Sequence, residues 1–310
     1  MKKILFINHK ITACGVYQYG LRTGNTIKKS LLSNIIYVEV DSVQEYNSLI
    51  TEHNPSVIIY NNHGPVMPWL SRNLIISYPN IIHVGILHEG NSALNYGYNY
   101  YISQDPTIND TENIFSVPRP LLSYDNITYP VTTITTINSF GFSFSDKGFK
   151  RVIDIVCSQL DDAIINLHMT TAHFDRPKEE TEKVLSECQN SINKTGVKLN
   201  ITRDFLNENE LLNFLASGDI NLFPYDSHSG RGISSVIDYA LSVDRPIAIT
   251  KSNMFRHIIG STPSICIEDR SLIDIIKSGV EPIKKYKEYW SNNRLIEKYD
   301  YIIKKITNNE

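Results

Sequence analysis

Two stretches of the chain put glycine, hydroxyl and cationic residues directly ahead of an apolar run. In "YDSHSGRGISSVIDYALSVDRP" (225–246), Gly230, Arg231, Gly232, Ser234 and Ser235 precede "VIDYALS". The first turn of a helix leaves backbone N–H groups without partners, at the positive end of the helix dipole. Glycines let an anion approach that backbone, and a guanidinium fork matches phosphate oxygens. The stretch has the composition of a diphosphate cradle. The plainer alternative is N-capping by Ser229 or Ser234 beside a solvated Arg231. In "INSFGFSFSDKGFKRVIDIV" (137–156), Gly141 follows an apolar run, and Lys147 with Gly148 opens the next segment. An ammonium placed there can meet the same anion; a surface lysine in a turn is the alternative.

Imidazoles supply the other candidate chemistry. His88 ends the run "VGIL" and can accept, donate or orient a hydroxyl; the alternative is a histidine bound to backbone. Asn62 and His63 form a polar turn before "VMPWL", a stretch suited to lining an acceptor site. His168 and His173 are five apart, and His228 stands alone. Cys14, Cys157, Cys188 and Cys266 are scattered and read as buried thiols of a reducing compartment. No metal site is predicted from these spacings, and no DxD-like metal signature stands in a suitable place.

Elements must bring these residues together. "KILFIN" (3–8), "NIIYVEV" (34–40), "SVIIYN" (56–61), "IIHVGIL" (81–87) and "NYYIS" (99–103) read as buried strands with helical segments between most of them. A proline-rich stretch, 116–130, reads as a linker. Strands then resume at 132–140, 163–169, 197–202, 220–225, 246–250 and 264–268, with helices at 147–160, 178–193, 208–217 and 233–243. The expected class is α/β, with two Rossmann-like doubly wound domains facing across a cleft. The boundaries are 1–128 and 129–280, with terminal helices in 281–310 that can pack back on the first domain. The net charge of −3 provides no global field for nucleic acid. No run approaches the roughly 20 apolar residues of a membrane span. A cytoplasmic protein is expected, with any membrane contact peripheral.

Residues 132–260 resemble the second domain of GT-B glycosyltransferases, in particular glycosyltransferase family 4. "SFGFSFSDKGF" stands where that group carries a glycine turn followed by "KG". "NELLNFLASGDINLFPYDSHSGRGISSVIDYALSVDRPIAI" (209–249) follows the order of its second signature. In the first domain "FINHKITACGVYQYGLRT" is similar to the glycine turn after the first strand, with Cys14 where a second glycine is common.

The resemblance implies transfer of a sugar from a nucleotide-diphosphate sugar to a saccharide or other hydroxyl acceptor, with retention and without a metal. The co-substrate would be a UDP- or GDP-sugar, and no further cofactor is implied. Lys147 matches the phosphate-binding lysine, and Arg231 is our candidate for the missing second cation. His88 completes the catalytic candidates. Gly15, Gly141, Phe142, Gly232, Ser234, Ser235 and Asp238 would line the donor site, and Asn62 and His63 the acceptor site. Two departures matter. Phe142 stands where relatives carry arginine, and Gly230 stands where the first of two glutamates is usual, leaving Asp226 as a substitute. Competing readings are a DNA-modifying glycosyltransferase, which the low basicity disfavours, a catalytically silent nucleotide-sugar binder, and a sugar-nucleotide epimerase.

Overall fold

Alternation of apolar runs with amphipathic stretches produces two parallel sheets. The computed structural model describes residues 2–89, 96–124, 133–171 and 178–308. Contacts divide the chain into two units. The first comprises Met1–Pro120, Gly230–Ile233 and Tyr289–Glu310; the second comprises Leu121–Ser229 and Ser234–Glu288.

The first unit runs β1 (Lys3–Asn8), α1 (Gly15–Ile27), β2 (Asn34–Glu39), α2 (Val43–His53), β3 (Val57–Tyr60), α3 (Arg72–Ile76), β4 (Ile82–Leu87), β5 (Tyr100–Ser103) and β6 (Ile114–Ser116). All pairings are parallel, in the order β2-β1-β3-β4-β5-β6. Ile4 to Ile7 and Val57 to Tyr60 are buried without a break, as a sheet covered on both faces requires. β6 has no counterpart in the sequence reading, because three residues are too few to show a period.

The second unit runs β7 (Thr136–Phe142), α4 (Phe149–Gln159), β8 (Ala163–Thr170), α5 (Lys178–Asn190), β9 (Val197–Thr202), α6 (Glu208–Ala216), β10 (Ile220–Phe223), α7 (Val236–Ser242), β11 (Ile247–Ile249), α8 (Leu272–Ser278) and α9 (Glu281–Tyr289). Its five strands are parallel, in the order β11-β10-β7-β8-β9. The expected strand 264–268 reduces to a single bridge between Cys266 and Ile249. The expected strand 132–140 starts at Thr136, and its residue 132 lies outside the described residues. Gly148 precedes α4 at φ +67°, where a Cβ would sit 2.1 Å from the Pro224 carbonyl oxygen. Only glycine lets α4 start this close to the end of β10.

The last helix, α10 (Asn292–Thr307), belongs to the first unit. Its Leu295, Tyr299, Ile302, Ile303 and Ile306 share one core with Ile4, Phe6, Ile59 and Ile86. Each such side chain stabilises by about 1.5–3 kcal/mol when fully buried. Lys2 Nζ donates to the Thr307 carbonyl at 3.0 Å, and the Ser30 hydroxyl donates to Asp300. The segment expected as 281–310 therefore divides, with α9 lying almost wholly in the second unit.

Each sheet reverses its strand order once, between β1 and β3 and between β7 and β10. Ligands of doubly wound sheets bind beyond the carboxyl ends of strands at such reversals.

Candidate functional site

In the first unit, polar residues close or follow β1, β3, β4 and β5, and these residues bond to one another. Asn8 closes β1, and its Oδ1 accepts from Asn61 Nδ2 at 2.8 Å and from the His9 amide at 3.0 Å. Asn61 follows β3, and its Oδ1 lies 2.7 Å from His88 Nε2. His88 follows β4, and its Nδ1 lies 2.9 Å from Gln104 Nε2. Gln104 follows β5, and its Oε1 accepts from the buried Arg119. The Arg119 guanidinium also lies 5.1 Å from the centre of the Tyr19 ring.

This chain fixes the state of His88. Gln104 Nε2 can only donate, so Nδ1 accepts and Nε2–H donates to Asn61. The residue keeps some surface, but Tyr19 meets the ring edge-on at 5.2 Å and both ring nitrogens are engaged. Burial, and then the Arg119 charge, push the imidazole pKa down to about 3. His88 is thus a neutral ring of fixed tautomer. The sequence made it a catalytic candidate; in the structure its two nitrogens are engaged by Asn61 and Gln104.

At the β1/β3 reversal stand His9, Cys14 and His63. Cys14 caps α1 without a side-chain capping bond, and its Sγ lies 3.8 Å from His63 Nδ1. His9 is buried, and its Nε2 has no hydrogen-bond partner among the described residues. Burial, with His63 nearby, lowers the His9 pKa to about 4. Asn62 is buried here too, and its Oδ1 finds no partner among the described residues. A Cβ on Gly15 would meet nothing within 4 Å, so that helix start offers room.

Gly230, Arg231 and Gly232 also belong to the first unit. Arg231 forms an exposed ion pair with Glu89 at 2.9 Å. A Cβ on Gly232 would lie 1.9 Å from the His88 carbonyl oxygen, so no larger residue fits there without a shift. Gly230 has φ +78°, a left-handed backbone that a glutamate would adopt only with strain.

In the second unit, Lys147 Nζ lies 4.3 Å from the centre of the Tyr225 ring. Tyr225 follows β10, and a Cβ on Gly141 would lie 3.1 Å from its hydroxyl. Gly141 and Lys147 therefore meet around Tyr225 at the β7/β10 reversal. Phe142 packs its ring 5.8 Å from that of Phe144. His228 Nε2 lies 3.5 Å from Asp146 Oδ2.

The helix-start cradle differs from the sequence expectation. α7 begins at Val236, later than the expected 233, and is seven residues long. The Ser234 amide donates to the Met254 carbonyl at 3.0 Å, so it is not available to an anion. Ser235 occupies the cap with no side-chain capping bond. Asp238 is fully buried, not a solvated helix residue. Asp226, the substitute carboxylate, is paired with Arg151.

Sequence reasoning missed Asn8, Asn61, Gln104, Arg119 and Tyr225. Asn8 and Asn61 end apolar runs, which is the only signal they carry; the bonds that join Asn8, Asn61, Gln104 and Arg119 through His88 depend on strand order. His9 and Cys14 were not joined to His63 because they lie far from it in sequence.

No protein-family model matches the chain, and no curated protein matches it. Solved structures do. HepE of Anabaena, in complex with UDP and glucose, aligns with a TM-score of 0.67 at 12% identity over 98% of this chain and 100% of that one. Sucrose-phosphate synthase of Thermosynechococcus elongatus aligns with a TM-score of 0.70 at 10% identity over 100% of both chains. Trehalose-6-phosphate synthase OtsA aligns with a TM-score of 0.63 at 9% identity over 98% of this chain and 99% of that one. The chain thus shares the GT-B fold of these glycosyltransferases, two Rossmann-like α/β domains.

Proposed function

We propose that the protein is a hexosyltransferase that moves a sugar from a nucleoside-diphosphate sugar to a hydroxyl acceptor. The observation that carries this reading is the Lys147 ammonium at the β7/β10 reversal, held on Tyr225 beside Gly141. The leaving diphosphate gains charge as the glycosidic bond breaks, and a preplaced cation stabilises that charge. Lys147 is half-buried, where such a contact is worth more than in bulk water. HepE, of the same fold, is a structure with UDP and glucose, which supports a UDP-sugar as donor. Retention of configuration and a diphosphate met by Lys147 without a metal complete the reading. Gly141, Phe142, Ser234, Ser235 and Asp238 are the second unit's donor-side candidates in this proposal, and Gly15, Arg231 and Gly232 are those that the first unit offers. Asn62 and His63 are its acceptor-side residues. His88 enters as a positioning residue, through Asn61 and Gln104.

A second reading is binding without transfer. Gly230 and the Arg151-bound Asp226 favour it, since both remove a carboxylate from the donor-sugar side. One experiment tests both. The protein is titrated with UDP and GDP, then incubated with UDP- and GDP-sugars while released nucleotide is followed. Binding with turnover is expected. Binding that never leads to release, with any acceptor, selects the second reading; no binding of either nucleotide removes both.

A further inference from the structure

We propose that His9, Cys14 and His63 form a zinc-class metal site at the β1/β3 reversal of the first sheet. Their candidate ligand atoms all lie within 4.8 Å of one another. Tetrahedral zinc, with its bonds to sulfur of about 2.3 Å and to nitrogen of about 2.0–2.1 Å, sets sulfur about 3.6 Å from nitrogen. The Cys14 Sγ to His63 Nδ1 separation of 3.8 Å already approaches that value.

The second, independent observation is His9. It is 1% exposed, and its Nε2 has no hydrogen-bond partner among the described residues. Buried polar atoms are satisfied in folded proteins, so a lone one calls for a ligand. The His9 backbone is anchored from behind, where its amide donates to Asn8 Oδ1 in the network that crosses the sheet edge. The thiol of Cys14 is at a helix cap without making a capping bond, and it turns to His63 instead.

The donor set selects the ion. Two imidazoles and a thiol, with no carboxylate, suit a borderline-soft ion and not magnesium or calcium. Three protein ligands leave a fourth position for water, and the open space at Gly15 and the half-buried His63 give an entry path. The protons balance. Cys14 releases its thiol proton to solvent. The His9 proton moves from Nε2 to Nδ1, which gives up the 3.2 Å hydrogen bond that Nδ1 accepts from the Ile11 amide, a loss that the metal–nitrogen bond must offset. The bound ion pins the loop after β1, the start of α1 and the turn after β3 to one another. None of this depends on the transferase reading.

The test uses the full chain, stripped with chelator and titrated with Co2+ and then Zn2+. One equivalent of Co2+ is expected, with thiolate-to-cobalt charge-transfer absorption and tetrahedral ligand-field bands. Zn2+ displaces it, and excess Mg2+ does not. Cys14→Ser removes the charge-transfer band and weakens Zn2+ binding by more than about 100-fold, since loss of a partner behind the ligands alone costs up to that much. His63→Ala weakens it similarly. Zn2+ raises the thermal midpoint of the wild type only. No stoichiometric Co2+ uptake, a spectrum without the thiolate band, or unchanged affinity in Cys14→Ser overturns the proposal. Should Cys14→Ser not fold, the wild-type spectrum decides. Among the described residues no other ligand cluster contains a cysteine.

Discussion

Where the first sheet reverses between β1 and β3, the trailing residues are amides and imidazoles: Asn8, Asn61, His9 and His63. Where the second reverses between β7 and β10, they are a cation and an aromatic, Lys147 and Tyr225. The topology is the same, and the physics differs. The first edge is a chain of short hydrogen bonds among buried groups, from Asn8 to Arg119. Each member is satisfied by the next, so removing one strands another. In the second edge, an ammonium rests on a ring face, a contact worth about 0.5–2 kcal/mol that asks for no fixed angle. The comparison teaches that substitutions at the first edge should act on stability, and those at the second on ligand affinity.

Arg119→Leu should break the first edge most severely. It leaves the Gln104 Oε1 acceptor stranded and removes the guanidinium from Tyr19. We expect a loss of about 3 kcal/mol, read by chemical denaturation. A loss under about 1 kcal/mol would mean that the network does not bear on stability. Lys147→Ala addresses the second edge. It should weaken UDP or GDP binding by about 2 kcal/mol, roughly 30-fold, while the thermal midpoint stays close to that of the wild type. Equal nucleotide affinity in calorimetry would sink the assignment of Lys147.

Acid sharpens the contrast through His88. Its folded pKa is depressed to about 3 from the ordinary imidazole value of 6.5. Below the unfolded value the unfolded chain takes a proton that the folded protein refuses, so stability falls as pH falls. The neutral ring's contribution is whole above about pH 6.5 and is lost progressively down to about pH 3. Between pH 7 and pH 5 the expected loss is about 2 kcal/mol. His88→Gln should flatten this part of the pH profile; an unaltered profile would assign the acid response elsewhere. The smallest effect is expected at Arg231→Ala, because its pair with Glu89 is exposed. Stability should change by less than about 1 kcal/mol, and a double-mutant cycle with Glu89→Ala measures the coupling.

Much of the fold was legible because buried parallel strands are continuous apolar runs. "KILFIN" and "SVIIYN" carry their own burial in their composition, and β1 and β3 appear there. "SICIE" has the same composition but sits outside the ladder, since only Cys266 finds a partner strand. The candidate site was less legible. Lys147 and Gly141 carried a local signal, but Tyr225, which both approach, comes from the loop after β10, far later in the chain. Arg231 and Ser234 are three positions apart, yet they fall in different units. The first-edge network is invisible in sequence because strand order, not spacing, decides which trailing residues become neighbours.

Helix α10 closes the core of the unit that β1 begins. On a translating ribosome, the first sheet must therefore wait for residues 292–307, which follow the whole of the second unit's sheet in the chain. Until Leu295 to Ile306 leave the exit tunnel, one apolar face of β1, β3 and β4 lacks its cover, although the second unit already has its own sheet and most of its helices. The unit whose sheet precedes in the chain is thus the later of the two to be finished, and nascent chains halted before residue 292 should expose apolar surface that a chaperone can hold.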